Sequence, residues 1–290
     1  GKYIPCYKTV PKVPPGVYEL KHSNQLGFYI EKQNHISDDI LQLPMDEIKE
    51  ILDDIDKFWK REKVFKKYGY THKRGILLHG PPGNGKSYLI QLLASYIIKD
   101  MKGIVLNLKD YSSVDLYLEF VGPVIREIEK DTPLFVLMED IDNILEYDRS
   151  VLTKILNMLD GIKQIDKVVY IATTNYPEKL QARVSNRPSR FDRRYKISKP
   201  NAQVREYYIR HKLNKEDLNK IDLKMWVEKT RGLSISHIKE LIVSVIILDV
   251  PFNKALSTLK NMSNKVSSHD DRDNGKKMGF SNNGNFNSED

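Results

Sequence analysis

Cysteine is almost absent: Cys6 is the only one in the chain. An internal disulfide framework is excluded, as is a zinc site built on cysteines, and this usage fits a reducing compartment. Long hydrophobic runs are missing too. The longest, Leu241-Ile-Val-Ser-Val-Ile-Ile-Leu248, falls far short of the roughly 20 residues that cross a bilayer and reads as a buried helix. No secretory leader is recognisable. Nor is there a block of like charge. Lys plus Arg is 47 and Asp plus Glu is 39, a formal charge of +8, and the largest local excess is 11 to 7 in residues 201–261. So thin an excess permits nucleic-acid contact without arguing for it. These absences lead to the expectation of a cytoplasmic protein with no membrane partner. The first residue is Gly1, not Met, so the chain is compatible with being part of a longer one.

At 290 residues the chain is long enough for a substantial core. Residues 1–16 are rich in Pro and Lys and read as an extended lead-in, and alternation in VYEL and GFYIEK suggests a hairpin within 17–36. Met45 to Tyr68 carries Ile48, Ile51, Leu52, Ile55, Phe58 and Trp59 at helical spacing. From Gly75 the pattern becomes strand then helix, repeatedly. Short apolar strands are expected at Ile76–His79, Ile104–Leu108, Leu134–Met138, Val168–Ala172 and Tyr195–Ile197. Strands of this kind alternating with helices imply a parallel five-stranded αβα sheet. After Pro200 the signal is helical, at 201–213, 222–230, 234–248 and 251–260. The expected domains are therefore an N-terminal segment and hairpin (1–44), an α/β subdomain (45–199), a helical lid (200–261) and a polar, disordered tail (262–290).

The stretch Gly80-Pro81-Pro82-Gly83-Asn84-Gly85-Lys86-Ser87 matches G-x-x-x-x-G-K-[ST], preceded by strand ILLH and followed by helix SYLIQLLASYII. Glycines let backbone N–H groups turn toward phosphate oxygens, and a helix N-terminus adds its positive dipole end. Lys86 suits β- and γ-phosphates, and the Ser87 hydroxyl suits Mg²⁺. Tyr88 is counted with the nucleotide contacts. At the end of Phe135–Met138 come Glu139 and Asp140, with Asp142 beyond. Carboxylates stepping off the C-terminal end of a parallel strand enter the crevice where ligands bind. One can orient Mg²⁺ and its neighbour can polarise the attacking water.

The combination GPPGNGKS, LFVLMEDID, LNMLDGI, IATTN and NRPSRFDRR resembles the AAA ATPases of the wider AAA+ class over roughly residues 40–250. Lys73-Arg74-Gly75, LNMLDGI and the Glu-Asp order are similar to the branch containing the mitochondrial AAA translocase for the Rieske iron–sulfur subunit. The resemblance implies a P-loop AAA+ module with a helical lid, binding ATP and Mg²⁺ and hydrolysing ATP. It places Glu139 in the metal shell, Asp140 at the attacking water, Asn175 as a sensor, and Arg187 and Arg190 as arginine fingers. Ser189 stands where the family has Gly. His211 aligns with a histidine on the adenine side. Arginine fingers act across a subunit boundary, so a homo-oligomeric ring, a hexamer, is expected, with a protein substrate to remodel or translocate. The alternative is a nucleic-acid-associated loader or switch. Phe120-Val121-Gly122 has the form of a pore loop, but ordinary helix packing is the favoured reading there.

Overall fold

A computed structural model describes residues 12–33, 41, 43–147, 149–160, 164–177, 180 and 190–273. Of the positions singled out above, Cys6, Gly161, Arg187, Ser189 and the tail beyond residue 273 lie outside the described residues. The chain divides into two compact units, Gly1–Ser236 and His237–Asp290.

The first unit is built on strands β1 (Gly16–Ser23), β2 (Gly27–Lys32), β3 (Lys73–His79), β4 (Ile104–Asn107), β5 (Leu134–Met138), β6 (Val168–Thr174) and β7 (Arg193–Lys196). They form one seven-stranded sheet in the order β2-β1-β4-β5-β6-β3-β7. The five parallel strands read from the sequence are all present, as β4-β5-β6-β3-β7. Every residue of β5 and β6 is buried, which explains their unbroken apolar character: helices cover both faces, so neither face needs polar residues.

The N-terminal hairpin is part of this sheet and brings the strand count from five to seven. β1 pairs antiparallel with β2 and parallel with β4, in a register running from Gly16 opposite Ile104 to Glu19 opposite Asn107. Tyr18 and Leu20 thereby join the main core. Alternation in the sequence marks a hairpin, but backbone pairing with a strand some 85 residues away leaves no local trace.

The helix expected over Met45–Tyr68 is two, α1 (Asp46–Lys60) and α2 (Glu62–Lys67), separated at Arg61. Helix α1 buries Ile48, Ile51, Ile55 and Phe58. Then come α3 (Lys86–Lys99), α4 (Tyr111–Leu116), a π-helical turn at Tyr117–Val121, α5 (Gly122–Ile128), α6 (Ile141–Tyr147) and α7 (Arg149–Asp160). Asp110 and Ser113 close a reciprocal capping box at the start of α4. Tyr117, Val121 and Gly122 are buried in this helical stretch, while half-exposed Phe120 stacks on Phe28 of β2 at 4.2 Å between ring centres. The segment is helical and packed.

After β7 the chain is helical: α8 (Ala202–Lys212), α9 (Lys215–Lys220), α10 (Leu223–Lys229), α11 (Ile235–Ile242), a π-helical turn at Val243–Ile247, and α12 (Phe252–Asp273). Asn201, Asn214 and Asp222 each cap a helix by accepting from a backbone N–H in its first turn. Helix α12 runs past the 251–260 read from periodicity, into the residues expected to be disordered; no Gly or Pro interrupts the chain between Pro251 and Gly275.

Candidate nucleotide site

Three adjacent strands, β5, β6 and β3, end at one edge of the sheet, and each delivers one part of the expected site. The loop Gly80–Gly85 leaves β3 and enters α3 at Lys86. Gly80, Gly83 and Gly85 all hold positive φ, at 151°, 75° and 95°. At Gly80 a Cβ would meet the Ile197 carbonyl oxygen at 2.4 Å, so glycine is required by both conformation and space. Asn84 ties the loop to the same carbonyl: its Nδ2 donates to Ile197 O at 3.1 Å. The Lys86 ammonium is buried and donates to the carbonyls of Gly80 at 2.5 Å and Pro81 at 3.1 Å. Burial lowers its pKa, and the carboxylates of Asp140 and Asp142 work against that shift. Ser87, one residue on, is exposed.

The acids come from β5. Asp140 sits at φ 46°, a left-handed conformation that Asp tolerates better than most side chains. Its backbone N–H donates to Thr173 Oγ1 at 2.8 Å, and its Oδ1 accepts from Asn175 Nδ2 at 3.1 Å. Asp140 is thus joined to Asn175 by a hydrogen bond and to Lys86 by charge. Glu139 is half-buried, and its pKa is raised by that burial and then by Asp140, while Lys109 lowers it. Lys109 also forms an ion pair with Glu19 of β1. The two neighbouring acids are thus coupled by charge to different lysines, Asp140 to Lys86 and Glu139 to Lys109.

Two threonines of IATTN that carried no role of their own in the sequence reading hold this edge. Thr173 orients Asp140, and Thr174 accepts the Gly80 N–H on its carbonyl and the Tyr176 N–H on its hydroxyl. A Thr pair just ahead of Asn175, at a strand end, was the available signal. Tyr88 is partly buried with a hydroxyl that finds no hydrogen-bond partner, and its pKa is raised by burial and by nearby Tyr208 and Tyr207 of α8. His211, on the same helix, stacks on Tyr207 at 3.9 Å, and its Nδ1 lies 2.8 Å from the Tyr207 carbonyl.

Arg190 is placed inward: it is 7 % exposed, and its Nε donates to Asp160 Oδ2 at 2.8 Å. It borders a cavity of about 510 Å³ at the beginning of β3, shared with Lys73, Arg74, Asp160 and Asp192.

The residues present fit a magnesium-bound nucleoside triphosphate. Positive-φ glycines line the turn, a 14-residue helix starts at it, and a buried ammonium meets only carbonyls of its own loop. Buried acceptor oxygens on Asn84 (Oδ1) and Asp142 (Oδ1) have no hydrogen-bond partner, a condition rare in folded proteins and relieved by a ligand or water that donates.

A phosphate-type loop between strand and helix, flanked by strand-end acids and an amide on a parallel sheet, defines a P-loop α/β domain. Residues 76–199 match the AAA family, described as the ATPase family associated with various cellular activities, so this stretch of the chain carries an AAA domain. Similar proteins include the 26S proteasome regulatory subunit S10B homolog B of Arabidopsis thaliana, 30% identical over 214 residues, covering 68% of this chain and 50% of that protein. The proteasome-activating nucleotidase of Methanopyrus kandleri is 30% identical over 240 residues, covering 76% and 53%. The ATP-dependent zinc metalloprotease FtsH of Acidobacterium capsulatum is 28% identical over 206 residues, covering 66% and 32%. The chain spans about half the length of these relatives or less. No helix among the described residues is long and apolar enough to cross a membrane.

Proposed function

We propose that this domain hydrolyses ATP to ADP and phosphate with Mg²⁺ and uses the cycle to remodel or translocate a protein substrate. The observation that carries the chemistry is the 3.1 Å hydrogen bond from Asn175 to Asp140, with the Asp140 charge acting on Lys86 across the crevice. Backbone N–H groups of residues 80–85 and the start of α3 hold the phosphates, and Lys86 moves from its loop carbonyls to the β- and γ-oxygens. The adenine side falls to Tyr88 and His211. Ser87 and Glu139 would hold Mg²⁺, which when bound neutralises charge on the transferring phosphoryl group. Asp140 orients the attacking water and draws on its proton, and Asn175 keeps the Asp140 carboxylate aimed while offering its own amide to the water or the γ-phosphate.

Arg187 and Arg190 are proposed to complete the site of a neighbouring copy in a ring, a hexamer, with Arg190 released from Asp160 in that assembly. A protein substrate is supported by the relatives, two of which are named for the proteasome and one as a protease. The helices after Pro200 are assigned as the lid. The test is phosphate release by the purified chain with Mg²⁺ and ATP, alone and with an unfolded polypeptide or with DNA. Hydrolysis accelerated by the polypeptide is the expected result. A wild-type chain unable to release phosphate at any protein concentration overturns the catalytic reading; acceleration by DNA alone overturns the substrate reading.

A further inference from the structure

Two carboxylates at the end of β5 have roles in this site, and a third is unexplained. Asp142 is 5 % exposed, and its Oδ1 is buried without a hydrogen-bond partner. It forms no ion pair among the described residues. The turn into α6 does not account for it, because that turn is closed by the main chain: the Asn143 N–H donates to the Asp140 carbonyl at 2.8 Å. A carboxylate oxygen kept from water without a donor is costly, and such groups are retained where a cation or donor is to arrive. Asp142 belongs to the nucleotide site by its reach, since its charge, like that of Asp140, acts on the Lys86 ammonium. That ammonium is itself occupied by the carbonyls of Gly80 and Pro81 and does not satisfy the free oxygen.

From these contacts we infer that Asp142 is a positioning residue for the metal, its free oxygen accepting a hydrogen bond from the hydration shell of the divalent cation at Ser87 and Glu139. The inference rests on the Mg²⁺-nucleotide reading above and adds a third carboxylate to it. Glu139 would hold the cation, Asp140 would serve the water, and Asp142 would act through a hydrogen bond at one remove. An acceptor-only oxygen suits that place because coordinated water presents only its hydrogens outward. Asparagine at this position keeps the shape but loses the charge and half the accepting capacity.

The experiment is binding of a fluorescent ATP analogue to the wild type, Asp142→Asn and Asp142→Ser, titrated with Mg²⁺ and repeated in EDTA, with melting temperatures of the metal-free proteins alongside. The Asn variant is expected to need about 10-fold more Mg²⁺ or beyond for half-saturation. Its binding in EDTA stays at the wild-type level, and its metal-free melting temperature is not lowered, because the charge of a buried carboxylate without an ion pair has been removed. Asp142→Ser carries the same comparison where Asn misfolds. An unchanged Mg²⁺ requirement overturns the inference, as does a melting temperature and EDTA binding that fall together, which is the pattern of a packing residue. A wild type that binds no nucleotide at all gives a different signature and removes the underlying reading instead.

Discussion

The two edges of the parallel sheet treat their charges in opposite ways. Where β3 begins, carboxylates have cation partners inside the chain. Asp192 meets Arg74, Asp54 meets Arg74 and Arg193, and Asp160 holds Arg190. The Gly75 N–H also donates to Asp192 Oδ1 at 3.0 Å. Where β5 ends, none of Glu139, Asp140 and Asp142 forms an ion pair among the described residues, and Asp140 accepts from the Asn175 amide. The first edge satisfies its charges internally and is built to hold elements together. The second keeps acceptors in reserve, which costs stability in the free protein and makes sense where a cation and phosphates enter.

The largest effect expected from this contrast is at Asp140. Asp140→Asn should lower phosphate release about 100-fold or more, since a positioned base contributes that much, while binding of ATP persists. Turnover near the wild-type rate would place the reactive acid elsewhere. On the paired edge the corresponding change is a loss of stability. Asp160→Ala leaves the buried Arg190 guanidinium without its carboxylate and should cost about 3 kcal/mol or more, read as a shifted denaturant midpoint; a shift no larger than that of an ordinary surface substitution would break the comparison. Gly75→Ala sharpens it. A Cβ there would meet the Arg190 carbonyl oxygen at 1.9 Å, so the segment at 190–192 must move away, with an expected cost of about 2 kcal/mol. A melting temperature unchanged by that substitution would show the close approach to be relaxed in solution.

The smallest effect concerns His72, also near the beginning of β3. It is 1 % exposed, stacked on Phe58 at 4.0 Å, with Nε2–H donating to the Phe58 carbonyl at 2.9 Å and Nδ1 buried without a partner. Burial lowers its pKa below the usual histidine value. The unfolded chain then takes up a proton as pH falls through about 6.5 while the folded one does not. Stability is full above that pH and declines below it, by at most about 1.4 kcal/mol per pH unit from this group. Urea unfolding at pH 7.5 and 5.5 should show the decline, and His72→Gln should flatten it; equal slopes in the two proteins would assign the acid sensitivity to other groups.

Much of this was legible in the residues alone, and for identifiable reasons. The phosphate loop is local: closely spaced glycines, a lysine and a hydroxyl do their work within one turn. Likewise the acids after Met138 and the amide after Thr174 mark strand ends, and parallel strands carry their ligand groups there. The break at Arg61 was not legible, because apolar spacing runs through it, and neither was the extension of α12 to Asp273, where polar composition resembled a tail. Arg190 was readable as a basic residue in a basic loop, but its turn inward to Asp160 depends on where α7 ends in space.

By itself the sequence determined the kind of site this is, since residues acting within a few positions of one another carry their chemistry wherever the strand is laid. Only the tertiary structure decided that the hairpin completes the sheet beside β4, that Asp140 and Glu139 are coupled by charge to different lysines, and that Asp142 is sealed with an oxygen to spare. The reason is one of distance. Strand order, burial and the field at a carboxylate arise from groups far apart along the chain, and they exist only once hydrophobic burial has brought those groups together.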